Sequence, residues 1–217
     1  MALVEPYYER NGITIYNADC RDVLPHLDGA DTIITDPVWP NSARSGLVGS
    51  EDPYTLLTEA AQHWPALSER AVVQIGCDSD PRILLAIPEE VRFFRVVSLE
   101  YTRPTYKGNK LYTGDMAYCF GRYKTPKWRG ANVIPGRMTD NTKNGRTPGH
   151  PAPRRLAHLR WLVSWLSAPE DVILDPFMGI GTTLVAAKFT GRRAIGIEIV
   201  EEFCERAVKR LAQEVMV

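Results

Sequence analysis

An apolar run, Val172-Ile173-Leu174, leads into Asp175-Pro176-Phe177-Met178-Gly179-Ile180-Gly181-Thr182-Thr183, and a helix-forming stretch, Leu184 to Phe189, follows at once. That order calls for a strand, a tight turn and a helix. Gly179 and Gly181 let the backbone bend sharply and let a ligand approach where a Cβ would clash. Thr182 and Thr183 open the helix, whose N-terminal end carries a partial positive charge suited to a carboxylate. Glu198 closes the next apolar run 23 residues after Asp175, where doubly wound folds place an acid that bonds ribose hydroxyls. The unit therefore suits an adenosine-containing cofactor. Its glycine pattern is FxGxG, one glycine short of the dinucleotide fingerprint GxGxxG. S-adenosyl-L-methionine has no pyrophosphate to cradle, so the shortfall favours it over NAD.

The rest of the chain alternates short apolar runs with amphipathic ones. Strands are expected at Ile13 to Tyr16, Asp31 to Thr35, Ala71 to Gly76, Val91 to Tyr101, Met116 to Phe120, Val172 to Leu174 and Ala194 to Ile199. The segment Pro104 to Gly114 is expected to join two of them. Helices are expected at Tyr54 to Leu67 with a break near Pro65, at Arg82 to Ile87 capped by Asp78 or Ser79, and at Glu201 to Val215. Another follows from Leu156, Leu159, Leu162, Val163 and Leu166, which recur at helical spacing. Such alternation implies an α/β fold, Rossmann-like, with a mostly parallel sheet covered by helices on both faces. At 217 residues, 44% of them hydrophobic, the chain reads as a single domain over 1–217. No apolar run nears the roughly 18 residues of a membrane span, and the N-terminus has no signal-peptide pattern. Cys20, Cys77, Cys119 and Cys204 are scattered, which argues against a metal site or a disulfide framework and for a cytoplasmic setting.

A second short segment, Thr35-Asp36-Pro37-Val38-Trp39, also ends an apolar run. It looks like the amino-methylating loop of DNA methyltransferases, and it precedes the cofactor loop in the chain. That order resembles the circularly permuted β group of adenine-N6 and cytosine-N4 enzymes. Asn17-Ala18-Asp19-Cys20 is similar to the family segment whose acid contacts the cofactor adenine, which implies roles for Asp19 and Cys20. His150-Pro151 followed by Arg154-Arg155 resembles the HPxxKP segment that helps hold the methionine moiety, with Arg-Arg replacing Lys-Pro. Tyr118 to Arg122 resembles the strand after the catalytic half. Val38 departs from the usual DPPY, DPPF or DPPW, and should leave activity in place with a less rigid loop.

The resemblance implies direct methyl transfer from S-adenosylmethionine to a base amino group in DNA. That nitrogen is a poor nucleophile because its lone pair is delocalised into the ring. The Asp36 carboxylate and the Pro37 carbonyl can take its two N–H bonds and stabilise the positive charge that develops. Trp39 offers a stacking face for a flipped-out base. The loop Pro40 to Ser50, carrying Arg44, is positioned to close over it. Aspartate at the first loop position leans toward adenine N6. Cytosine N4 and a decayed cofactor-binding module stand as the alternatives.

Net charge is zero, yet residues 122–150 hold seven basic residues (Arg122, Lys124, Lys127, Arg129, Arg137, Lys143, Arg146) against Asp140 alone. This window, at +6 and rich in Gly, Pro, Asn and Thr with Tyr123 and Trp128 interleaved, reads as a long loop that contacts DNA. It is short for a target-recognition domain. That implies a short or relaxed site or help from a second subunit, as in a homodimer, and the resemblance implies a restriction-modification setting.

Overall fold

The computed structural model describes residues 5–40, 47–107, 109–123, 134–140 and 154–213. Among these residues nine strands form one sheet in the order β1-β2-β9-β8-β3-β4-β6-β5-β7. The strands are β1 (Tyr8–Arg10), β2 (Ile13–Asn17), β3 (Thr32–Thr35), β4 (Arg70–Gly76), β5 (Phe93–Lys107), β6 (Lys110–Gly121), β7 (Arg137–Asp140), β8 (Val172–Asp175) and β9 (Arg193–Glu198). The helices are α1 (Cys20–Val23), α2 (Pro53–Ala61), α3 (Trp64–Leu67), α4 (Leu156–Leu166), α5 (Thr182–Phe189) and α6 (Glu201–Ala212). The central run β2-β9-β8-β3-β4 is parallel throughout. Antiparallel partners flank it, β1 on one side and the β6–β5 pair on the other.

Burial explains the apolar runs. Neighbouring residues point to opposite faces of a strand, and here both faces are covered. Ile34, Val72 and Ile173 join a core with α4, α5 and α6, whereas Ile33, Val73 and Leu174 join a second core with α1, α2 and α3. All six side chains are fully buried.

Four details differ from the sequence reading. Arg10 pairs with Ile13 around Asn11-Gly12, both at positive φ, so β1 and β2 form a tight hairpin whose Asn-Gly signal announces it. The Arg82–Ile87 helix is a 3₁₀ segment, Pro81–Ala86, capped by Asp80 rather than Asp78 or Ser79. The segment Pro104 to Gly114 is no connector but the outer part of the β5–β6 hairpin. Pro104 sits where the register shifts, a place that tolerates a missing N–H. Finally, the basic window is not loop throughout, because β7 pairs in parallel with β5 inside it. The break expected in the 54–67 helix is present, with α2 ending at Ala61 and α3 starting at Trp64.

Candidate active site

Strands β8 and β3 are neighbours, yet their crossovers diverge: β8 leads through α5 to β9, and β3 leads through α2 and α3 to β4. Ligands of open α/β sheets bind at such a switch point, beyond the carboxyl ends of the strands. Asp175 ends β8 and Asp36 follows β3 directly. The Thr35 hydroxyl, donating to Asp175 at 2.8 Å, stitches the two ends together. A cavity of about 450 Å³ opens there, within the range of small-ligand sites.

Among the described residues, those expected to hold the cofactor lie around it, Gly181 excepted. Pro176, Phe177, Gly179, Thr182 and Thr183 line the cavity, and Gly179 holds a φ of 53°. Gly181, at φ 71°, stands behind the wall instead. A Cβ there would lie 2.8 Å from that of Ala207, so this glycine serves the packing of α5 on α6. Glu198 lines the cavity while accepting from the amides of Gly179 (3.0 Å) and Val200 (2.8 Å). It thus fixes the loop as well as facing the ligand space, and burial raises its pKa against those amide bonds. Asp19 and Cys20 form another stretch of wall; Asp19 caps α1 by accepting from the Arg21 amide at 2.9 Å.

Asp175 has a measurable consequence. Burial pushes its carboxyl up to about 7, against bonds from the hydroxyls of Thr183 and Thr35 and the amide of Phe177. An unfolded aspartate titrates near 3.9. Between about pH 4 and 7 the folded chain keeps a proton that the unfolded chain has released. Stability therefore falls as pH rises across that window, by about 1.4 kcal/mol per unit, and levels off above it. Urea unfolding of the wild type and Asp175→Asn at several pH values checks this. The variant should lose that decline, and parallel pH dependences would refute it.

The Asp36 side is more crowded than the sequence suggests. Trp39 Nε1 donates to Asp36 Oδ1 at 2.8 Å. Arg154 donates from Nη2 to Oδ1 at 3.2 Å and from Nε to Oδ2. The Arg154 guanidinium also lies 4.0 Å from the centre of the Trp39 ring. One Trp39 face expected to receive a base is thus covered by a cation, and the indole is 7% exposed. Arg154, expected from the resemblance to help hold the methionine moiety, lines the cavity and is also the partner of Asp36. Burial pushes the Asp36 carboxyl up, and Arg154 pulls it back. Burial opposes the Arg154 charge too, but the carboxyls of Asp36 and Asp115 outweigh it and raise its pKa.

Asp115, fully buried at the start of the inner part of β6, is the residue the sequence reading missed. It stands 3.5 Å from Arg154 and accepts from Tyr101 (2.6 Å), Gln74 (2.9 Å) and Tyr112. Its signal was a lone acid heading the apolar run Met116 to Phe120. A carboxylate offers about four acceptor positions. On Asp36, Oδ1 takes two donors and Oδ2 takes the Arg154 Nε, which leaves room on Oδ2 for one more N–H.

The residues expected to contact DNA fare differently. Arg44, Lys124, Lys127, Arg129, Lys143 and Arg146 lie outside the described residues, as do Trp128 and His150, the latter expected beside the methionine moiety. Arg122 and Arg137 are exposed, the latter 3.9 Å from Glu100. Tyr123 is no free aromatic of a loop: its hydroxyl donates to the Ala71 carbonyl at 3.1 Å. Asp140, the acid of the window, pairs with Arg155 at 3.6 Å.

A family model described as DNA methylase, covering N6 and N4 methyltransferases, matches residues 94–209. YubD of Escherichia coli (strain K12) is 27% identical over 214 residues, 89% of this chain and 88% of that protein. The type II methyltransferase M.ScaI of Streptomyces caespitosus is 37% identical over 94 residues, 43% of this chain and 30% of that one. Among solved structures, the M1.HpyAVI–SAM complex superposes with a TM-score of 0.72 at 23% identity, covering 93% of this chain and all of that one. The cytosine-N4-specific PvuII DNA methyltransferase gives 0.74 at 16% identity, over 98% and 90%. These likenesses establish a methyltransferase fold of the Rossmann-like kind. With more than half its length matched by the family model, the chain belongs to the DNA methylase family of N6 and N4 amino-methyltransferases.

Proposed function

We propose that this chain transfers a methyl group from S-adenosyl-L-methionine to the N6 of a flipped-out adenine in DNA. The observation that carries the reading is the adjacency of Asp36, with an acceptor position left on Oδ2, to the glycine-turn cavity at one switch point. When bound, the cofactor supplies an electrophilic methyl on a sulfonium. The residues suited to hold it are Gly179, Thr182 and Thr183 at the start of α5, Phe177 as an apolar wall, and Glu198 and Asp19 as acceptors. In this reading residues 1–217 form one methyltransferase domain, with 122–150 as a DNA-contacting insertion.

The chain's own groups do the rest. Asp36 Oδ2 and the Pro37 carbonyl accept the two amino hydrogens and draw the nitrogen toward a tetrahedral shape, freeing its lone pair. Arg154 and Trp39 hold the Asp36 carboxylate in one orientation, so little reorganisation accompanies the reaction. Two carboxyl groups face a single guanidinium in this cluster, Asp36 and Asp115 against Arg154. The acceptors aimed at the amino group favour the positive charge that grows on the amino nitrogen. Val38 contributes only an apolar side chain to the wall, which is compatible with this chemistry.

Aspartate at position 36 supports adenine over cytosine, while the likeness to an N4-specific enzyme keeps cytosine N4 as the second reading. The test is incubation with methyl-labelled cofactor and two synthetic duplexes, one of A·T pairs and one of G·C pairs. Label should enter the A·T duplex. Incorporation into the G·C duplex alone would favour the second reading, and none into either or into mixed genomic DNA would refute both.

A further inference from the structure

We propose that the outer β5–β6 hairpin, residues 101–107 and 109–113, is a DNA-reading arm that enters the major groove beside the target base. The proposal rests on the DNA-methylating reading above and assigns it a contact surface outside the basic window. Strand β4 ends at Gly76, which pairs with Asp115 of β6, so the residues of β6 before Asp115 continue past the carboxyl end of β4. That is the end of the sheet where Asp36 stands. From Gly114 to Lys110 the ribbon reaches roughly 13 Å beyond it, at about 3.3 Å per residue. B-DNA's major groove is about 12 Å wide and about 8.5 Å deep and admits a two-stranded ribbon.

The chemistry of the arm fits that groove. Between Tyr101 and Gly114 the sequence holds Arg103, Lys107 and Lys110 and no acid. Arg103 and Lys110 are exposed. Tyr106 pairs across the ribbon with Leu111, so the two share a face, and they are 79% and 50% exposed. Cations suit phosphates, and an exposed aromatic beside an aliphatic suits base edges and the thymine methyl. The arm is also tied to the active site at its root. Tyr101 and Tyr112, their rings 6.0 Å apart, both donate to Asp115, which faces the Arg154 that holds Asp36. The amino groups of adenine N6 and cytosine N4 both face the major groove, so an arm rooted at Asp115, across Arg154 from the acceptor Asp36, lies on the side from which the base leaves the stack.

The test compares wild type with Arg103→Ala/Tyr106→Ala/Lys110→Ala, three exposed positions whose replacement leaves both cores intact. Fluorescence anisotropy with a labelled mixed-sequence duplex is read across a salt series, and calorimetry reads S-adenosylmethionine affinity. The variant should bind DNA at least tenfold more weakly at low salt. Its log K against log[salt] should be shallower by about 0.9 for each phosphate the arm no longer neutralises, with cofactor affinity unchanged. Unchanged DNA affinity and slope in the variant would overturn the arm while leaving the methyltransferase reading intact. A wild type that takes no DNA at all would overturn both. Loss of self-association in the variant with DNA binding intact would make the arm a surface for a second copy, and would overturn the proposal as well.

Discussion

Arg154→Ala is expected to lower the melting temperature by about 10 °C. The guanidinium, 12% exposed as a side chain, is the shared partner of Asp36 and Asp115. Removing one member of a buried ion pair costs about 3–5 kcal/mol, because the remaining charge is left without compensation. Asp115 keeps donors in Tyr101, Tyr112 and Gln74, and Asp36 keeps Trp39, which places the loss toward the lower end. For a chain of this size each kcal/mol shifts the midpoint by about 2–4 °C. Arg154→Lys keeps the charge but cannot span both carboxylate oxygens of Asp36, so it should recover part of the stability and less of the activity. Calorimetric melting of both variants decides the point. A melting temperature equal to that of the wild type in Arg154→Ala would show that this cluster is not held as described.

The largest catalytic effect belongs to Asp36. Asp36→Asn keeps the size of the side chain and one oxygen, but replaces the other with a donor that repels an incoming N–H. Removing one aligned electrostatic partner from a developing charge costs about 10²–10³ in rate, and the same drop in kcat is expected here with cofactor affinity little changed. Asparagine is a better choice than alanine. Asp36 lies outside the apolar pattern of the sequence, and by that pattern alone Asp36→Ala would be silent for folding. The bonds from Arg154 and Trp39 show otherwise, because alanine would leave a buried guanidinium leaning on Asp115 alone. A kcat for Asp36→Asn within a few-fold of wild type would remove Asp36 from the chemistry.

Both halves of the site were legible from short segments whose chemistry is local. An apolar strand, a glycine turn and an acid 23 residues on are sequence-adjacent features, and each fell where it was expected. What joins the halves was not legible. Arg154 meets Asp36 across 118 positions of sequence and Asp115 across 39, and no periodicity reports such pairings. The place of Gly181 and the added contacts of Glu198 were hidden for a related reason: one depends on the approach of α6, the other on where the Gly179 and Val200 amides point. The outer hairpin was hidden by Pro104, a strand breaker that a register shift accommodates at this position. The short parallel strand β7 gained its place from pairing with β5 inside a stretch whose composition says loop.

The most direct measurement is mass spectrometry of nucleosides from DNA incubated with the protein and S-adenosylmethionine, run beside the Asp36→Asn variant. The account predicts N6-methyladenine with the wild type and a trace at most with the variant. N4-methylcytosine as the sole product would contradict the base assignment while sparing the amino-transfer chemistry. No methylated base at all, from a chain that binds both cofactor and DNA, would contradict the central claim.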